Sequence, residues 1–299
     1  MSILVVGSVA LDTIKTPFGK EKEILGGSAT YFSLSARFFS PVNLVAVAGT
    51  DFPRKYVNFL KNRKVDLKGL TFEEGKTFRW QGRYGWDFGN PETVATHLNV
   101  FSTFNPKIPP SYRKSKYLFL ANIDPVLQHR VLSQIDKPRL IACDTMNYWI
   151  EKKRKELLRL VKKVDIFFLN ESEAKELTGQ ASLIRAAKAL CSLGAKKIII
   201  KKGEHGSLLF LGDSVFSTPA YMMESIVDPT GAGDTFAGGV MGYLSLCKRL
   251  NEANFRKAIV YGSVMATFAV ENFSVGRLGY ISKSDIERRY RKYEKLTRF

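Results

Sequence analysis

Short apolar runs rich in β-branched residues, each closed by glycine or a polar loop and followed by a helix-length segment, constrain this chain more than any other feature. Residues 3–7, Ile-Leu-Val-Val-Gly, are the first such run, and Asp12 follows in the loop that it opens. Runs of this kind predict strands buried on both faces, with loops at their C-terminal ends. A helix is predicted over 29–39, a strand over 43–48 closed by Gly49, and a helix over 53–63. Strands resume at 117–120, 140–143, 166–169 and 197–200, separated by segments long enough for helices. The alternation predicts a parallel sheet covered by helices, an α/β fold.

Between 71 and 104 the alternation lapses. The stretches 77–84 and 97–104 have strand character around a Gly-Asn-Pro turn and predict an antiparallel hairpin lying off the main sheet. No internal repeat, low-complexity segment or flexible linker divides the chain. It reads as one α/β domain with a small β excursion.

Composition excludes several classes. With 299 residues, 45% of them apolar and 25% charged, the chain has the usage of a globular protein and the length to bury a sizeable core. No stretch nears the ~18 apolar residues of a membrane span, and the opening Met-Ser-Ile-Leu-Val-Val has no basic leader, so a cytoplasmic protein without membrane contact is expected. Cys143, Cys191 and Cys247 are widely spaced, without metal-ligand neighbours, and read as reduced thiols. A formal charge of +18 favours anions such as nucleotides, sugar phosphates or nucleic acid. The excess is spread along the chain, and its clusters at 152–155 and 288–292 are flanked by Glu, as on solvated helix faces. No nucleic-acid-binding module is recognisable, so no nucleic-acid partner is expected.

The strongest chemical signal is Asp228-Pro-Thr230-Gly231-Ala232-Gly233-Asp234-Thr-Phe-Ala-Gly-Gly239, leading into an apolar segment at 240–246. Small residues let the amides of Gly231, Ala232 and Gly233 approach an anion, and the following helix adds its positive end. A carboxylate at the lip of a phosphate cradle is awkward unless it has a task, and taking the proton of an attacking hydroxyl is one. The alternative is a glycine-rich turn with Asp234 as an N-terminal helix charge. The Lys of a Walker A loop is missing, so a P-loop reading fails.

This string resembles the second signature of the ribokinase-like, or PfkB, family of carbohydrate and nucleoside kinases, and other segments agree in order and spacing. Gly7 and Asp12 look like the first-strand Gly and the substrate-hydroxyl Asp, Gly26 and Gly27 like the diglycine, and Gly49-Thr50-Asp51 like the Gly-x-Asp after the second strand. Asn170-Glu171-Ser172-Glu173 matches an Asn-x-x-Glu pattern, and Lys202-Gly203-Glu204-His205-Gly206 resembles the loop that approaches the nucleotide. Asn170 with Glu173 also fits a helix cap, the 202–206 loop a plain β-turn, and Asp12 a turn former. Asp144-Thr145-Met146-Asn147 is a weaker match near the phosphate path. One departure stands out: Tyr31 occupies the place, four residues after the diglycine, where the family usually has a substrate-binding Asn.

The resemblance implies a ribokinase-like three-layer α/β/α sandwich with a mainly parallel central sheet and a small β-sheet lid. Residues 1–12, 26–70 and 106–299 would form the core, and 13–25 with 71–105 the lid. It implies an ATP-dependent kinase that transfers the γ-phosphoryl group to a sugar hydroxyl, with Asp234 as general base and Gly231, Ala232 and Gly233 as anion hole. A nucleoside kinase of adenosine, inosine or cytidine type is the alternative, and a catalytically silent sugar-binding regulator a distant one. Asp12, Gly26, Gly27, Tyr31 and Asp228 would bind the acceptor. Thr230, Asn170, Lys202, Gly203, Gly206 and Asn272 would bind the nucleotide, and Asn170 with Glu173 would hold Mg2+ through water. A loop near Asp228 and Thr230 could hold K+. Phe78, Trp80, Tyr84, Trp86 and Phe88 load the lid with aromatic area, as its own packing, as the interface of a homodimer through the lid, or as a floor for a nucleobase.

Overall fold

The computed structural model describes residues 2–297. Its strands are β1 (Ile3–Val6), β2 (Ala10–Thr16), β3 (Gly19–Gly26), β4 (Val42–Gly49), β5 (Val65–Glu73), β6 (Arg79–Arg83), β7 (Glu92–His97), β8 (Tyr117–Leu120), β9 (Leu140–Cys143), β10 (Ile166–Asn170), β11 (Lys197–Lys201), β12 (Ser207–Leu211) and β13 (Ser214–Thr218). The helices are α1 (Ser28–Ala36), α2 (Arg54–Asn62), α3 (Pro125–Leu132), α4 (Asn147–Lys152), α5 (Arg154–Val161), α6 (Glu171–Thr178), α7 (Leu183–Ser192), α8 (Ala232–Leu246), α9 (Glu252–Val270) and α10 (Lys283–Thr297).

A nine-stranded sheet runs in the order β13-β12-β11-β10-β9-β8-β1-β4-β5, parallel from β5 to β11, with β12 and β13 antiparallel at one edge. All four residues of β1 are fully buried because both faces are covered. Ile3 and Val5 pack with Phe32, Leu60, Met241 and Phe268 of α1, α2, α8 and α9, while Leu4 and Val6 pack with Val131, Leu157, Leu177 and Leu190 of α3, α5, α6 and α7. These two cores make three layers of helix, sheet and helix. The chain leaves β1 for β4 and β5 on one side, then returns to β8 on the other. The switch opens a crevice at the C-terminal ends of the strands, where open α/β sheets bind ligands. No described helix is long and apolar enough to cross a membrane.

A second sheet, β3-β2-β6-β7, lies off the first. Two boundaries differ from the sequence reading. The lid sheet begins at Ala10, which pairs with Gly26, so Asp12 sits in a lid strand and not in a loop of the 1–12 segment. Residues 71–73 remain in the main sheet, where Glu73 pairs with Gly49. The strand expected at 97–104 is also displaced. The partner of β6 is β7, and Asn99–Thr103 is a 3-10 turn in which Phe101 stacks on Phe78 and Phe104 with ring centroids 5.3 and 5.5 Å apart. Its apolar residues serve a local aromatic stack, which alternation alone does not distinguish from a strand.

Asp51, just after β4, ties the main sheet to the start of β6 in the second sheet. Its carboxylate accepts the backbone N–H and the hydroxyl of Thr77, both at 2.7 Å, and pairs with Arg79 at 2.7 Å.

Candidate active site

Asp12 is nearly fully buried, against the backbone of Gly26 and Gly27. A Cβ on Gly26 would lie 1.8 Å from Asp12 Oδ2, so the diglycine is what lets the carboxyl lie there. Gly27 caps α1 with φ 96°, in the left-handed region that favours glycine, and its N–H donates to Asp12. Burial, then the nearby Asp228, push the Asp12 carboxyl up to about 8, against the pull of that N–H. Tyr31, on the first turns of α1, is buried, and among the described residues its hydroxyl has no hydrogen-bond partner. Burial and the carboxyls of Asp228, Asp12 and Asp234 raise its phenol, so the unpartnered group stands among the candidate acceptor residues.

The anion cradle is built on the N-terminus of α8, a helix held close between neighbours by glycines. A Cβ on Gly238 would meet Phe32 O at 2.5 Å, and one on Gly239 would meet the Cα of Gly262 at 2.9 Å. Gly231 caps the helix at φ 75°, and a Cβ there would lie 2.3 Å from the Tyr31 ring. The Ala232 N–H turns back to Pro229 O at 3.1 Å, whereas among the described residues the amides of Gly231 and Gly233 meet no acceptor. Asp228 is fully buried, accepting from Thr230 N at 2.9 Å and from Ser274 N at 3.3 Å. It thereby joins the cradle to the loop after α9, and burial keeps its carboxyl raised despite these donors. The Thr230 hydroxyl donates to Tyr84 of the lid at 3.2 Å, so the lid reaches the cradle directly. Asp234 lies in the first turn of α8, partly open. Burial first and Asp144 second push its carboxyl up to about 7, and Lys201 pulls it down.

On the phosphate side, Asn170 and Glu173 form a reciprocal cap on α6: Glu173 N donates to Asn170 Oδ1 at 2.8 Å and Asn170 N to Glu173 Oε2 at 2.6 Å. Glu173 is buried, which pushes it up to about 7 although Lys201 opposes this. Among the described residues no group of three His, Cys, Asp or Glu side chains that could hold a metal ion converges. The 202–206 segment is a tight turn closed by Lys202 N to Gly206 O at 2.8 Å. Asn272 is exposed, its Oδ1 held by Phe273 N at 2.8 Å, and it is Ser274 that docks on Asp228.

Two residues without an assigned role in the sequence reading, Lys201 and Ser274, stand at this candidate site, and a third, Trp80, takes a more particular place than that reading gave it. Lys201, one position before the expected Lys202, places Nζ 2.7 Å from Asp144 Oδ2. Ser274 adopts φ 57° and donates its hydroxyl to Leu25 O of the lid, a conformation no sequence pattern announces. The sequence read Trp80 only as one of five lid aromatics. It is the register partner of Asp12 in the parallel β2–β6 pair, so the two side chains share a lid face. Its ring folds across Gly82, where a Cβ would lie 2.1 Å away, and its indole N–H donates to Thr93 at 3.3 Å. Trp86 and Phe88 instead gather around Phe18, with Trp86 79% exposed.

Comparison with known proteins is consistent with this geometry. The pattern of the pfkB family carbohydrate kinases matches residues 3–278. A cytidine kinase of Thermococcus kodakarensis is 34% identical over 257 residues, covering 84% of this chain and 91% of the relative. The Methanocaldococcus jannaschii nucleoside kinase structure superposes with a TM-score of 0.78 at 19% identity, covering 97% of this chain and 98% of the other. The Burkholderia thailandensis nucleoside kinase in complex with inosine gives 0.79 at 18% identity, covering 97% of both.

Proposed function

The chain belongs to the pfkB family of carbohydrate kinases and is a phosphotransferase with a hydroxyl acceptor, and we propose that this acceptor is a nucleoside. The sequence reading favoured a sugar and kept the nucleoside as its alternative. Similarity to a cytidine kinase over most of both chains reverses that order. The observation that carries the reading is the pairing of Asp12 with Trp80, which sets a hydroxyl-binding carboxylate beside a half-buried aromatic face. A free sugar needs the first, and a nucleoside uses both.

In this reading Asp12 and the Tyr31 phenol hold the ribose hydroxyls. Hydroxyl donors bring the raised Asp12 carboxyl back toward the anion. Asp234, poised near neutrality, takes the proton of the attacking hydroxyl, and the open amides of Gly231 and Gly233 face the charge that develops on the phosphoryl group. Asn170 and Glu173 would hold Mg2+ through water, and the ion, when bound, neutralises the ATP phosphates. The Tyr84–Thr230 contact closes the lid over the cradle and excludes water. The loop joining Ser274 to Asp228 is the place for K+, and the exposed aromatic group around Phe18 and Trp86 supports assembly of two copies through the lid.

The test is ADP release with Mg2+ and ATP across cytidine, adenosine, inosine, ribose and fructose, in the parent and in Trp80→Ala. A nucleoside should be the best acceptor, and Trp80→Ala should raise its KM by about tenfold, the loss of one base–aromatic stack, while leaving the KM of ribose unchanged. Faster turnover of ribose or fructose than of every nucleoside would overturn the assignment.

A further inference from the structure

Lys201 ends β11 after three consecutive buried isoleucines, and its side chain is only 18% exposed. Burial disfavours its charge, yet Asp144, Glu173 and Asp234 together hold the ammonium above its ordinary range. One of its three donors goes to Asp144 Oδ2 at 2.7 Å, and no other acceptor meets Nζ among the described residues. The same Nζ stands 3.3 Å from where a Cβ on Gly233 would be, against the backbone of the open cradle. If Lys201 served only to neutralise Asp144, that place would be incidental. A lysine fixed there by a carboxylate, with two donors unspent, is a phosphate ligand in waiting.

We propose that Lys201 is a catalytic residue that grips the transferring phosphoryl group of the nucleotide beside the Gly231–Gly233 cradle, while Asp144 holds its ammonium in place. The assignment rests on the kinase reading above. No bond to lysine forms. Its positive charge balances the negative charge that the phosphoryl oxygens carry as they pass from the leaving diphosphate to the acceptor oxygen.

The experiment compares Lys201→Met, Lys201→Arg and the double variant Asp144→Asn/Lys201→Met. Steady-state kinetics are combined with calorimetric binding of ADP and of a non-hydrolysable ATP analogue. Lys201→Met should lower kcat/KM for ATP by about 10²–10³-fold, and Lys201→Arg by less. The double variant removes the one carboxylate that Lys201 hydrogen-bonds, so it remains readable where the single variant folds poorly, and it should stay as slow as Lys201→Met. Both should weaken the triphosphate analogue by at least about tenfold more than ADP, which is measured without any acceptor. Recovery of the parent rate in the double variant would show that Lys201 merely neutralises Asp144 and would overturn the proposal. Equal losses of ADP and analogue affinity would do the same. A parent that turns over no nucleoside would refute the function proposed above, while the calorimetry would still decide the role of Lys201.

Discussion

Asp234→Asn separates catalysis from stability in opposite directions. The Asp234 carboxyl titrates near 7 in place of its ordinary 3.8, through burial first and the Asp144 charge second. Between those values the native state binds a proton that the unfolded chain has released, so the native state loses stability as pH rises from about 4 to about 7. Each pH unit is worth about 1.4 kcal/mol, so the ionised side chain costs about 4 kcal/mol above pH 7 if unscreened, and about 2 kcal/mol allowing for its partial exposure. Asparagine removes the ionisation and the cost. At about 2 °C per kcal/mol for a chain of this size, the variant should melt about 4 °C higher than the parent at pH 8, and about 2 °C higher at pH 5. Its turnover should fall by about 10²–10⁴-fold, because the base is gone. Thermal unfolding followed by circular dichroism at both pH values, with ADP release at pH 8, reads the two effects. A melting shift equal at pH 5 and pH 8, or turnover within about tenfold of the parent, refutes Asp234 as a buried, raised base.

Two further outcomes are expected. Gly231→Ala meets both a left-handed backbone and the Tyr31 ring, whereas Gly203→Ala meets a left-handed backbone in open space. Denaturant unfolding should therefore charge Gly203→Ala about 1–2 kcal/mol and Gly231→Ala distinctly more, and equal losses would show that the Tyr31 contact gives way freely. Turnover should rise when K+ replaces Na+ in the buffer, through the loop that ties Ser274 to Asp228, and equal rates would remove the cation from that loop.

Most parallel strands were legible because strands buried on both faces need uninterrupted apolar residues, whereas the edge strand β5, with Asp66, Lys68 and Gly69 among its residues, was missed. Those at 117–120 and 140–143 fall where the sequence places them. The lid was harder, since one of its sheet faces meets solvent and its strands carry charge. Lys201 was passed over for a related reason. The glycine after Lys202 marks the loop, and attention to the loop hides a lysine that ends a buried strand, although an ammonium following three isoleucines is itself the signal. The departure at Tyr31 was visible in the sequence, but its consequence was not. The ring lies against Gly231, so the residue that replaces an acceptor-binding asparagine also backs the anion cradle.

Charge supports the role proposed for that lysine. The chain carries a formal +18, yet Asp12, Asp228 and Asp234 crowd the proposed acceptor side of the site, and Asp144 and Glu173 its proposed phosphate side. Burial and mutual repulsion raise Asp12, Glu173 and Asp234 toward neutrality, which means that each would be relieved by a nearby cation. The positive field of the whole surface can draw a polyanionic nucleotide from a distance. Inside the crevice acidic groups gather around Lys201, so under the proposed function the phosphates would settle where a cation meets them. Lys201 is placed between Asp144 and the open amides of the cradle, and Glu173 stands ready for a water-bound divalent ion on the same side. Under the proposed function, the same raised acids would favour a triphosphate that arrives with its metal, and they leave Asp234 with the proton affinity that its proposed task requires.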